Sequence, residues 1–423
     1  MSEPADTPLS RTARIRPMTG RDPHERGRAA TTLELLYDLV FVVAIGQAAN
    51  QLGHLVAGGH YGVAIGGFAF AMFAVIWAWI NFSWFASAFD TDDWAYRLAT
   101  MVQMVGVTIL GLGLPPMFHS LDAGHGLDSR VIVAGYVVMR VAMVFLWLRA
   151  ARQSPAHRTA CLAYVKTMVL AQLGWVATAF VHLDLGPTAA IYVALLLFEL
   201  AGPYLAETRH GGTPWHAHHI AERYGLLTII ALGEGVIGTV ASLSAVLEVQ
   251  GWSTDAVLVA VAGMGLTFGM WWSYFLLPAG VLLHAHRERA FRWGYGSIPV
   301  LASIAATGAG LHVAALFIEH QAQIGPVATV LALAIPVGIF VIGVYLLQAA
   351  LYADLDAFHA LLLALTVALL AAAPLLAAAG VRTAYCLLVL TATPLVSVIG
   401  YEIHGHRHAA RALARALGRS ERA

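Results

Sequence analysis

Charge is what this chain has least of. Of its 423 residues only 11% are Asp, Glu, Lys or Arg, while 59% are hydrophobic and the mean hydropathy is +0.72. Soluble domains carry about 25% charged and roughly 45–50% apolar residues, so a water-soluble globule is excluded and an integral membrane protein is implied. Cysteine is nearly absent: Cys161 and Cys386 both fall inside predicted helices, which argues against a structural disulfide or a metal–thiolate centre. Residues 1–30 are polar and lack the short apolar core of a cleavable signal, and they read as a disordered basic tail. No HExxH, GxSxG or P-loop occurs, so nothing marks an enzyme and no cofactor is expected. The formal net charge is zero and gives no reason to expect a nucleic-acid partner.

What is present is a succession of apolar runs separated by polar breaks. About 20 residues of helix cross about 30 Å of hydrocarbon, and about twelve such runs are readable, at 33–53, 62–88, 95–118, 129–149, 159–181, 187–206, 220–246, 254–277, 290–318, 327–352, 357–379 and 383–402. They lack the two-residue alternation of barrel strands, so the predicted fold is all-α. Arginine clusters at the N-terminal tail, at every second loop and at the C-terminal tail, with Arg130 and Arg382 as exceptions. Short cytoplasmic loops retain Lys and Arg, which predicts both termini in the cytoplasm.

The two halves match. With Tyr37 set against Tyr224, "YDLVFVVAIGQ" pairs with "YGLLTIIALGE", and Gln47 faces Glu234. With small gaps "WAWINFSWF" (77–85) then lies beside "GMWWSYF" (269–275), and Tyr96-Arg97 beside Phe291-Arg292. The alternative is chance alignment of apolar helices, but three helices matching in order favour duplication. Six helices per half put both halves in the membrane in the same sense, as parallel repeats. The expected layout is a first six-helix repeat over 31–208, a His-rich linker at 209–219, a second repeat over 220–403 and a basic tail at 404–423.

A charge at mid-bilayer costs about 2.5–3.5 kcal/mol on insertion scales, so those that persist are functional candidates by default. Arg140 and Glu234 fall near the middle of helices 4 and 7, and Asp38, Lys166 and Glu199 in the inner third of helices 1, 5 and 6. Glu34 and Asp38 are four apart and share a face. Gln47, Asn50, Gln51 and His54 form a second polar stripe farther out, and Arg223 and Glu234 share a face of helix 7 roughly 16 Å apart. Carboxylates whose proton affinity burial can shift, with a cation nearby, suit a proton or cation path. This makes Asp38, Glu234, Arg140, Glu34, Glu222, Arg223 and Gln47 path candidates. The competing explanation for the deepest charges is a static pair, Arg140 with Glu234, and Glu34 and Glu222 can equally be interfacial.

The loop after helix 2 carries Asp90, Asp92 and Asp93; either these carboxylates bind a divalent cation or Thr91 or Asp92 caps helix 3. The matching loop in the second half, "HAHRERAFRWG" (284–294), is basic. That reversal suggests a cytoplasmic latch in which Asp90, Asp92 and Asp93, with Arg97 beside them, meet Arg287, Arg289 and Arg292. His216, His218 and His219 are weak metal candidates without regular ligand spacing, so a solvated His-rich loop is expected there. The C-terminal stretch, with Arg411, Arg415 and Arg419 on one face, reads as a basic helix on anionic inner-leaflet lipid. Trp77, Trp79 and Trp272 read as packing at the seam between halves rather than a cofactor pocket.

Three stretches together, "ELLYDLVFVVAI" (34–45), "FDTDDWAYRL" (89–98) and "ERYGLLTIIALGEGV" (222–236), resemble the bacterial low temperature requirement protein A family, often called LtrA. Tyr37 stands where that family usually has Phe. The resemblance spans the whole chain and implies a multi-pass inner-membrane protein linked by name to growth in the cold, without implying a particular chemistry. Its motifs fall on Glu34, Asp38, Asp90, Asp92, Asp93, Arg97, Glu222, Arg223 and Glu234. The functional expectation is a secondary transporter or other ion-translocating protein handling a small ion or molecule. A cation channel and a nontransporting regulator or enzyme of the cold response are the alternatives.

Overall fold

The computed structural model describes residues 15–180, 185–352 and 357–405, together with 413, 414 and 418. Arg11 and Arg14, and His406, Arg407, His408, Arg411, Arg415, Arg419 and Arg422 of the expected basic helix, lie outside the described residues. Among the described residues all regular structure is helical, and twelve helical spans are long and apolar enough to cross a membrane. The chain is thus a multi-pass helical membrane protein in contact with a lipid bilayer. Large apolar side chains such as Leu39, Ile65, Leu112 and Leu173 stand exposed on its helices, as lipid contact requires.

The helices are α1 (Thr32–Ala57), α2 (Tyr61–Phe89), α3 (Trp94–Asp122), α4 (Arg130–Gln153), α5 (Arg158–Phe180), α6 (Leu185–Arg209), α7 (Ala217–Ala231), α8 (Gly233–Gln250), α9 (Thr254–Phe275), the short α10 (Ala279–Ala285), α11 (Ala290–Ile318), α12 (Pro326–Tyr352), α13 (Ala357–Ala378) and α14 (Thr383–Gly400). Most follow the apolar runs to within several residues. The seventh run forms one span, Ala217–Gln250, with a one-residue irregularity at Leu232 between α7 and α8, where Leu232 keeps a right-handed helical backbone and its N–H still donates to the Thr228 carbonyl at 3.0 Å. One expectation needs correction. The basic stretch 284–294 was expected to be a loop, yet α10, a 3₁₀ turn at Arg287–Arg289 and the start of α11 occupy most of it.

Contacts divide the chain into two compact units: one comprises the described residues of Met1–Ala44 and Trp77–Ile220, the other those of Ile45–Ile76 and Ala221–Ala423. Both α1 and α2 therefore contribute to each unit.

In the first unit, residues 15–30 are not a disordered tail. Met18 is fully buried, and its amide donates to Gln153 Oε1 at 2.7 Å. Arg21 N–H donates to the Ala88 carbonyl at 2.9 Å. The buried Arg28 guanidinium donates to the carbonyls of Ser87 at 2.6 Å and Ala86 at 2.8 Å in the last turn of α2, the Ala86 oxygen also accepting from Asp90 N–H at 3.1 Å. A polar composition alone concealed this, because the segment's partners are backbone carbonyls distant in sequence.

Helices in lipid gain no hydrophobic drive from meeting one another, so close van der Waals approach and polar contacts hold them together. In the first unit α3 and α4 meet at Gly106 and Gly135, where a Cβ on Gly135 would lie 2.6 Å from the Gly106 carbonyl oxygen. In the second unit a Cβ on Gly238 of α8 would lie 2.5 Å from the Gly308 carbonyl oxygen of α11. Proline inside α14 costs Pro394 its N–H, which frees the Leu390 carbonyl; Thr393 Oγ1 donates to that oxygen at 2.6 Å.

The tight α3–α4 contact gives a direct test. Gly135→Val forces a branched side chain against backbone and is expected to cost about 1–3 kcal/mol. A melting temperature in detergent unchanged from wild type would contradict this packing.

Candidate functional site

Thr31 and Glu34 open α1 as a capping box. Glu34 Oε2 accepts from Thr31 N–H at 2.8 Å and from its Oγ1 at 3.0 Å, and Glu34 N–H donates back to Oγ1 at 3.3 Å. This satisfies two orphan donors of the first turn. The Thr-x-x-Glu spacing is a sequence signature that could have been read in advance. Glu34 is 0% exposed.

Its second partner comes from the start of α7. His219, also 0% exposed, places Nε2 at 3.2 Å from Glu34 Oε1. The neighbouring His216 is fixed by two bonds: its Nε2 contacts the Glu25 carbonyl at 2.8 Å, and the His219 amide donates to its Nδ1 at 3.2 Å. A carbonyl can only accept and an amide N–H can only donate, so this imidazole is neutral with its proton on Nε2. Burial lowers its proton affinity in the same sense. The expected solvated His-rich loop is therefore a packed element in which His216 and His219 are buried, and among the described residues no three His, Cys, Asp or Glu converge to hold a metal.

The acidic loop is organised from within the first unit. Asp93, not Thr91 or Asp92, is the N-cap of α3 and accepts from Tyr96 N–H at 2.9 Å. Its carboxylate is ion-paired with Arg149 of α4 and accepts from Arg16 N–H at 3.0 Å. Although burial acts the other way, Arg149 and these amides hold Asp93 down at about 2. Asp92 has a left-handed backbone, φ 48°, and pairs with Arg97 at 2.8 Å. Asp90 is buried, accepts from Asp92 N–H at 2.9 Å and lies 3.7 Å from Arg21. Burial and the nearby Glu34 carboxylate raise it from 3.8 to about 6, against the pull of Arg28 and Arg21. In the second unit, Arg289 donates to the Leu351 carbonyl, Arg287 lies in the 3₁₀ turn, and Arg292 is exposed on α11.

Deeper in the first unit, two tryptophans of α2 serve two carboxylates. Trp79 Nε1 donates to Asp38 Oδ1 of α1 at 2.6 Å, and Trp77 Nε1 donates to Glu199 Oε2 of α6 at 2.8 Å. Residues two apart point to nearly opposite sides of a helix, so α2 binds a different neighbour on each side. Both tryptophans act as hydrogen-bond donors within this unit, a role that the packing expectation missed. The same Glu199 oxygen accepts from Arg140 at 2.6 Å, and the Arg140 guanidinium stands 5.5 Å over the Tyr136 ring. The partner of Arg140 is therefore Glu199 rather than Glu234. Sequence spacing cannot reveal this pair, because it joins residues 59 apart on separate helices.

Glu234 is different. It lies in the first turn of α8, 17 residues from the start and 16 from the end of the span Ala217–Gln250, and is only 9% exposed. Among the described residues its carboxylate makes no hydrogen bond and no ion pair. A glycine faces it on α1: a Cβ at Gly46 would lie 2.8 Å from its Oε1. Of the remaining candidates, Arg223 is fully buried in α7, whereas Glu222 and Gln47 are exposed. Arg223 and Glu234 lie within the one span Ala217–Gln250, on either side of the irregularity at Leu232.

The family model described as bacterial low temperature requirement A protein (LtrA) matches residues 29–393, and the chain belongs to that family. An uncharacterized protein of Rhizobium meliloti (strain 1021) is 26% identical over 315 residues, covering 69% of this chain and 70% of the relative.

Asp90 supplies a pH test. Folding raises its pKa, so the folded state binds the extra proton between 3.8 and about 6. Its contribution to stability falls as pH rises through that window, and the penalty is complete above it. Asp90→Asn keeps the turn and removes the charge. It is expected to stabilise the protein at pH 7.5 by on the order of 2–3 kcal/mol, with the melting-temperature gap closing toward pH 4. A variant no more stable than wild type at pH 7.5 would show that Asp90 is not held against its charge.

Proposed function

We propose that this member of the bacterial low temperature requirement A family is an ion-translocating protein of the inner membrane, a secondary transporter in which Glu234 takes up and releases a proton or small cation. The observation that carries this reading is a mid-span, buried carboxylate without a hydrogen bond or ion pair among the described residues. An ionised carboxylate kept from water is too costly to persist alone, so it either binds a proton or waits for a cation. Glu34, Asp93 and Glu199, by contrast, are each engaged by a cationic or imidazole partner.

Asp38, which accepts from Trp79 at the inner end of α1, is the second candidate carboxylate. Arg140, engaged by Glu199, has a structural role. The arginine distribution supports both termini in the cytoplasm. Duplication is supported by Tyr37 and Tyr224, both fully buried, the first against Phe82 and the second against Trp293.

The test is flux in sealed liposomes loaded with a pH-sensitive dye, with proton and monovalent cation gradients imposed in turn. The wild type is expected to move one of these ions at a rate that saturates with the gradient, and Glu234→Gln to fall to the protein-free background while melting like the wild type. Undiminished flux in Glu234→Gln would remove the carboxylate from the path. A rate that never saturates would favour a channel.

A further inference from the structure

The C-terminal part of α1, from Ile45 onward, packs within the second unit. Along it run Gln47, Asn50, Gln51 and His54, of which Gln47, Asn50 and His54 are exposed and Gln51 partly so. Among the described residues the three amide side chains make no hydrogen bond with the protein. Facing hydrocarbon, such groups would have nothing to bond to, so polar side chains in a span turn toward protein or a wet cavity. These amides have no protein partner and therefore need water.

The two ends of this stripe are anchored by contacts. At one end Gly46 lies against the Glu234 carboxylate. Seven residues later, two turns and roughly 10 Å along the axis, a Cβ at Gly53 would lie 3.2 Å from His312 Cδ2. His54 meets the His312 ring edge-on, with centroids 5.2 Å apart, and His312 Nε2 is buried without a hydrogen bond. On α11, a Cβ at Gly308 would lie 2.6 Å from the Glu234 carbonyl, and His312 follows one turn later, about 6 Å along that helix. Glu234, the amide stripe and the two imidazoles thus lie on one seam of α1, α8 and α11.

We infer that this seam is a water-filled proton lane joining Glu234 to the outer face, with His312 and His54 as the relay at its mouth. The inference rests on the reading of Glu234 as the ion site, and it names the ion as a proton. A proton leaving the Glu234 carboxyl crosses waters held by Gln47, Asn50 and Gln51 and is taken by one ring nitrogen of an imidazole. The other ring nitrogen releases a proton toward bulk, and the ring returns to neutral; no electrons move. The other titratable groups near this end are His60 just beyond α1, Glu248 near the end of α8, and Glu319 and His320 just beyond α11. Asp255 at the start of α9, which packs on α8, is paired with Arg382, and α12, which packs on α11, carries no charged residue.

Cysteine labelling tests the lane without depending on flux. In the full-length protein Gln47→Cys and Asn50→Cys are exposed in intact cells to a charged, membrane-impermeant thiosulfonate applied outside. Leu112→Cys, an apolar position of α3 that is 69% exposed and, like Gln47 in α1, ten residues from the end of its helix, serves as the lipid-facing control. The wild type gives the background, since Cys161 and Cys386 are buried. Labelling at Gln47 and Asn50 but not at Leu112 is expected, and no labelling at either polar position overturns the lane. In liposomes, His312→Gln and His54→Gln are expected to lose most proton flux while the cysteine positions stay reactive. Wild-type flux in both histidine variants overturns the relay. Labelling of the lane in a protein whose wild type moves no proton overturns the Glu234 reading instead and leaves the wet cleft standing.

Discussion

Within about 30 Å of hydrocarbon there is no water to satisfy a polar group, and the placement of almost every charge in this protein follows from that constraint. A carboxylate inside a span must find a donor or a counter-charge, keep a proton, or reach water along a wet path. Glu199 takes the first course, between Trp77 and Arg140. Glu34 does so at the membrane edge, with a capping box on one side and His219 on the other. Glu234 does neither among the described residues, and this is what separates it from the rest.

The buried pairs also explain how helices with little reason to associate in lipid are held. A buried ion pair is weak evidence for stability in itself, but removing one partner strands the other at high cost. Arg140 with Glu199 ties α4 to α6, Trp77 and Trp79 tie α2 to α6 and α1, and Arg149 with Asp93 ties α4 to the start of α3. Glycines provide the remaining closeness, at Gly106 and Gly135 in one unit and at Gly238 and Gly308 in the other. Polar ties and small residues do in lipid what apolar burial does in water.

Family membership and geometry meet at the same residues. The stretches that carry the family likeness hold Glu34, Asp38, Asp93, Arg223 and Glu234, all of which are buried. Burying that many ionisable groups in a chain only 11% charged is expensive, and packing accounts for Glu34 and Asp93 through their partners. It does not account for Glu234, which lies near a stripe of unbonded amides and is for that reason the residue on which the proposal of ion movement rests.

By itself the sequence determined the class of the molecule. Apolar runs of about 20 residues can only be membrane helices, so an all-helical chain with twelve spans was legible, as were the polar positions that matter, because charge in such a run is conspicuous. Partnership was not legible. Arg140 was matched in sequence with Glu234 yet pairs with Glu199, Asp93 rather than Thr91 or Asp92 caps α3, and residues 15–30 pack onto carbonyls at the end of α2. Hydropathy and helical period are properties of a segment and are written along the chain. Which donor meets which acceptor depends on how separate helices come together, and only the tertiary structure decided that.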